Sequence, residues 1–180
     1  MVLSDSKESP NWMTSAMSQV LYECGCIGAT NYLRIAGHLS LTQGIAVDIK
    51  SLRAAFEGLP GFCAIDGDSG WFIMGPTENS TAANRVRKLM SVSTGPVGID
   101  VIANALITDD RWIERNDGGA LCVPPIYVLS KIIASWSWIV GDKHNKYRLR
   151  KPISHIELLN ETELHILQTL ERKGGGCYQG

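Results

Sequence analysis

The chain has no run of about 18 apolar residues, so no membrane-spanning helix is expected. Its first ten residues, Met1 to Pro10, are polar and lack the apolar centre of a secretory leader. It has no G-x-x-x-x-G-K-[ST] loop, which excludes that phosphate cradle. Cysteines are few and odd in number: Cys24, Cys26, Cys63, Cys122 and Cys177. Without a leader they are read as reduced thiols of a cytoplasmic protein. Cys24 and Cys26 are one residue apart, not two as in a zinc knuckle, and no second pair or nearby His completes four ligands. No metal and no cofactor are expected. Nor is there a surplus of one charge: 17 Lys and Arg face 18 Asp and Glu, for a net charge of −1. A uniformly basic coat for nucleic acid is excluded, but a local basic face is not.

Catalytic patterns are also missing. His38, His144, His155 and His165 are scattered and fit no Ser-His-Asp or Cys-His arrangement. Asp109 and Asp110 read as an exposed helix exit rather than an acid–base pair. The stretch Asp66-Gly-Asp-Ser-Gly70 has the look of a calcium loop, but the closing carboxylate of a twelve-residue loop would fall on Thr77. It is read as a hairpin turn. No enzyme is expected.

What the chain does have is a globular balance. Hydrophobic residues make up 44 % and charged residues 19 % of 180, enough for one ordinary domain or two small ones. Charge is uneven along it. Residues 1–80 carry four bases and eight acids, net −4. Residues 81–130 carry five of each. Residues 131–151 carry six bases against Asp142 alone, net +5. Residues 152–180 carry two bases and four acids, net −2. One 21-residue stretch therefore holds the whole basic surplus.

The hydrophobic period places the elements. Residues 1–12 are polar and read as a flexible terminus. Met13, Ala16, Met17, Val20, Leu21 and Cys24 form a helical stripe, with Gly25 suited to its end. Residues 29–36 predict a shorter helix stopped at Gly37, and 48–57 a helix capped by Asp48. Then the period becomes two: strands at 62–66 and 71–74 flank the turn Gly67 to Gly70. A polar linker, 76–80, follows. A second cycle then begins, with helices at 81–92 and from Asp100 to Ile107, and a short connector over 109–123. Pro124 and Pro125 open a helix to about Ser135. Strands at 136–140 and 146–150 flank the turn Gly141 to Asn145. Asn160 and Glu163 have capping-box spacing ahead of a last helix to Lys173.

The order helix–helix–helix–hairpin thus occurs twice, as a repeat of element order rather than of sequence. Three stretches carry a family likeness: "LPGFCAIDGDSGWF" (Leu59 to Phe72), "GPVGIDVIANALITDDRWI" (Gly95 to Ile113) and "LLNETELHILQTLERKGG" (Leu158 to Gly175). Together the order and these stretches resemble tandem winged-helix proteins. Similar modules occur in the delta subunit of bacterial RNA polymerase, in chromatin regulators, in some restriction enzymes and in bacterial proteins with a sigma-factor-like helix-turn-helix. The resemblance implies a mostly α chain with short β-hairpins (α+β), in which two winged-helix modules, 13–76 and 81–151, precede a C-terminal helix at 158–174. It implies a DNA-binding protein, transcription-related, cytoplasmic and at the nucleoid. The first module departs from the pattern in being acidic, with a poor basic wing.

Contact with duplex DNA is expected through the second module. Its wing carries Lys143, His144, Lys146, Arg148, Arg150 and Lys151, and its preceding helix presents Tyr127, Ser130 and Lys131. Arg85, Arg87 and Lys88, on the wet side of helix 81–92, complete the candidate set. With Lys131 the one charge on the reading helix, sequence preference is expected to be weak. The alternative is an adaptor for another protein, bound through the first module or the C-terminal helix, without DNA.

Overall fold

The computed structural model describes residues 11–107 and 124–173. The first array is α1 (Met13–Ile27), β1 (Thr30–Asn31), α2 (Tyr32–Gln43), α3 (Ile49–Phe56), β2 (Phe62–Asp66) and β3 (Trp71–Met74). The second is α4 (Thr81–Val92), β4 (Val97–Gly98), α5 (Ile99–Ile107), α6 (Ile126–Ala134), β5 (Ile139–Gly141) and β6 (Lys146–Leu149). Two further helices follow, α7 (His155–Leu158) and α8 (Glu161–Arg172). Each array holds a three-stranded antiparallel sheet, in the orders β1-β3-β2 and β4-β6-β5. The protein is therefore α+β. The expected connector at 109–123, with Asp109, Asp110 and Trp112, lies outside the described residues, as do Cys122 and Cys177.

Local chemistry sets the helix ends. The side chains of Asn31, Asp48 and Ser80 accept from the N–H groups of Leu33, Ser51 and Ala83. At α8 both halves of the capping box form, since Asn160 accepts from the Glu163 N–H and Glu163 from the Asn160 N–H. The structure corrects four sequence expectations. Helix α1 runs past Gly25 to a left-handed cap at Gly28. Residues Thr30 and Asn31 are not helical but pair with Phe72 and Trp71 as an edge strand. Helix α2 then passes Gly37 and stops at Gly44, whose positive φ lets its N–H reach the carbonyls of Leu39 and Ser40. A two-residue strand is too short to show a period, and a mid-helix glycine costs only about 1 kcal/mol. Strand β5 begins at Ile139 rather than Trp136, because residues 136–139 form a turn in which the Ile139 N–H bonds the Trp136 carbonyl.

The first array packs Tyr32, Phe56 and Phe62 around Phe72, at ring separations of 4.7, 5.8 and 5.3 Å. Glu23 of α1 is buried there, but it is fully engaged. It accepts from Thr30 Oγ1 at 2.6 Å, Arg34 Nε at 2.7 Å and Gln19 Nε2 at 2.7 Å. This set ties α1 to β1 and α2.

The second core does not stay within its own array. Val86, Ile102, Leu106, Val128, Leu129, Ile132, Ile133 and Trp136 form one apolar cluster with Ile27, Ala29 and Trp71 of the first array. The linker between the arrays is part of this joint. Thr77 and Ser80 are buried, Thr77 Oγ1 accepts from Trp136 Nε1 at 3.3 Å, and Glu78 Oε1 accepts from the Ser137 N–H at 2.6 Å. Among the described helices of eight residues or more, α8 alone has no buried residue. Lys88 of α4 holds it, with Nζ 2.7 Å from Glu163 Oε2. No helix among the described residues is long and apolar enough to cross a membrane.

Candidate nucleic-acid interface

The β5–β6 hairpin is shaped by its turn. Asp142 Oδ1 accepts from the N–H groups of His144 at 2.8 Å and Lys146 at 3.0 Å. Asn145 closes the loop with φ +55°, a left-handed conformation that Asn tolerates better than most residues. These backbone donors, with the nearby His144 and Lys146 side chains, hold the Asp142 carboxyl below the usual carboxylate range. Asp142 is thus engaged in building the turn.

Strand alternation then sorts the side chains of β6. Tyr147 is buried and Leu149 half-buried, while Lys146 and Arg148 face outward. Lys143, His144 and Lys151 are exposed beside them. Among the described residues, Lys143, Lys146, Arg148 and Lys151 make no ion pair within 4.0 Å, so the hairpin presents four outward cations, of which Lys146 lies near Asp142. Arg150 is exposed too, but its Nε donates to the Ser137 carbonyl at 2.9 Å and so braces the hairpin base.

The other candidate cations have structural partners. Arg87 lies over the Trp138 ring at 4.6 Å, and Trp138 stacks on Trp136 at 5.2 Å. Lys88 holds α8 through Glu163. Arg85 Nη1 donates to the Ala105 carbonyl at 3.3 Å. The structure therefore brings together the hairpin members of the expected set and places the three α4 residues in internal contacts.

The reading helix is likewise divided. Lys131 Nζ donates to the Ile65 carbonyl of β2 at 3.1 Å, so the first array holds its only cation. Ser130 Oγ donates to the Tyr127 carbonyl at 2.9 Å and also meets the Tyr147 side chain, whose phenol burial pushes above its usual range. Tyr127 is 46 % exposed. Its neighbour Ile126, absent from the sequence-based set, is 55 % exposed. The signal for Ile126 was its phase: it shares the outer arc with Tyr127 and Ser130, off the stripe of Val128, Leu129, Ile132 and Ile133.

Burial pushes the Cys24 thiol up to about 11, so it is not a thiolate near neutral pH. No cluster of three His, Cys, Asp or Glu placed to hold a metal ion occurs among the described residues. Comparison with protein-family models, with curated proteins and with solved structures gives no match.

Proposed function

We propose that the chain is a duplex DNA-binding protein built from two winged helices in tandem, with the β5–β6 hairpin as its phosphate-contacting wing. The observation that carries this reading is the contrast among its cations. Among the described residues, Lys143, Lys146, Arg148 and Lys151 make no ion pair on one hairpin, whereas Arg87, Lys88 and Lys131 each have a partner within the molecule. Element order and strand order support the winged-helix part: a helix, a two-residue strand, a helical segment and a hairpin, with the short strand paired to the last one in both arrays. A DNA-binding role of this kind fits a cytoplasmic protein at the nucleoid, acting in transcription.

The mechanism is electrostatic. Each phosphate neutralised by a Lys or Arg releases counterions, so affinity falls steeply with salt and depends little on sequence. Four such contacts predict a loss on the order of 100-fold between about 50 and 200 mM salt. The test is fluorescence anisotropy of a labelled mixed-sequence duplex at those two concentrations. The variant K143E/K146E/R148E/K151E is expected to abolish binding while melting like the wild type; Arg150 is left in place because it braces the hairpin. Binding that persists within twofold in that variant rejects the wing as the site.

A second reading has its own observation. Helices α1 and α2 of the acidic first array expose Leu21, Tyr22, Leu33 and Leu41, the last two at 65 % and 71 %. Apolar side chains displayed in this way suit a protein-binding adaptor. A stoichiometric protein partner together with no duplex binding at low salt favours that reading.

A further inference from the structure

The outer face of α6 is almost uncharged. Ile126, Tyr127, Ser130, Lys131 and Ala134 lie within an arc of about 140° at 3.6 residues per turn. Lys131, at one edge of that arc, is bound to the Ile65 carbonyl, and Ser130 is turned to the Tyr127 carbonyl and Tyr147. The exposed side chains without such a bond are apolar and aromatic: Ile126, Ala134 and the Tyr127 ring. This face adjoins the cationic hairpin, because α6 packs on β5 and Ser130 meets Tyr147 of β6.

A duplex lying on the hairpin presents its grooves to the neighbouring surface. The major groove admits an α-helix, and the one apolar group on its base edges is the thymine C5-methyl. Charged or amide side chains would read guanine or adenine there; this face has no amide, and its one cation, Lys131, sits at the edge bonded to the Ile65 carbonyl. We infer that α6 reads thymine methyl groups, with Ile126 as the discriminating residue and Tyr127 beside it. This rests on the DNA-binding reading above and adds to it a preference for thymine-containing sites that the hairpin alone would not confer.

The test compares two A·T-rich duplexes of one sequence, one with thymine and one with deoxyuridine, which differ only in the methyl groups. Removing one buried methyl is expected to weaken binding about fourfold. The variant Ile126→Ala is expected to bind both duplexes alike, at the affinity of the wild type for the uracil form. Ile126 is more than half exposed, so the variant should fold and melt normally. Equal wild-type binding of both duplexes overturns the inference and leaves the phosphate-contacting wing standing. A thymine preference that survives in Ile126→Ala also overturns it, since DNA shape then carries the difference. If neither duplex binds at about 50 mM salt, the inference falls together with the DNA reading.

Discussion

Gly28 stands where α1 of the first array meets α6 of the second. It ends α1 with φ +95°, and a Cβ placed there would stand 3.1 Å from Ile132 Cγ2 of α6 and 3.6 Å from both Ser80 Oγ and Thr77 Cβ. Two constraints meet at one residue. An L side chain in that left-handed conformation costs about 1–2 kcal/mol. The close contact adds to this, because Ile132 is fully buried and has little room to withdraw. Gly28→Ala is therefore expected to destabilise the protein by about 2 kcal/mol or more. Urea denaturation measures it as a lower midpoint with an unchanged slope. A shift within about 0.5 kcal/mol would mean that the arrays are not seated on each other as described.

At the scale of elements, α8 is held differently from the rest. Its capping box secures its start, and one ion pair, Lys88 to Glu163, joins it to α4. The Lys88 ammonium, followed by the Asn160 N–H, keeps the Glu163 carboxyl below the usual range for glutamate. A carboxyl with a lowered folded-state pKa contributes stability above its ordinary pKa and loses it as pH falls through the lowered one. Amide protection in α8 should thus persist down to mildly acidic pH and vanish below the ordinary carboxylate range, ahead of the buried α6. Hydrogen exchange followed by NMR across that range checks this, and Glu163→Gln should remove the pH step. The box itself was legible in the sequence, since Asn160 and Glu163 have the right spacing before an apolar run. So were both hairpins, through period-two aromatics about a Gly- or Asp-rich turn. Strands β1 and β4 were not, because two residues show no period and their pairing is set by β3 and β6. The wing was legible as a charge surplus, for charge is a property of composition. The engagement of Lys131 with Ile65 was not, since it joins residues 66 positions apart.

At the scale of the molecule, apolar residues of the two arrays form a continuous cluster, which is expected to couple them. Ile27, Ala29 and Trp71 pack with Ile132 and Trp136, and the linker residues Thr77 and Glu78 bond the second hairpin's base. A boundary at residues 76–80 read from polarity alone would make two independent units. Polar residues there cap α4 and accept from Trp136 and Ser137 instead of forming a solvated tether. Ile132 tests the difference. It is fully buried on α6 and faces Gly28 across the joint. Ile132→Ala should cost about 2–5 kcal/mol through lost burial and the cavity left behind. If the joint couples the arrays, the loss appears in both: thermal unfolding stays a single transition at lower temperature, and exchange protection drops in α2 and β3 as much as in α5 and α6. Two separated transitions, with the first array untouched, would mean that the shared cluster is a contact between independent domains. The outcome bears on the DNA reading as well. A coupled body keeps Ile65 beside Lys131, so that this cation at the edge of the α6 face stays bonded to the first array while the hairpin cations face outward.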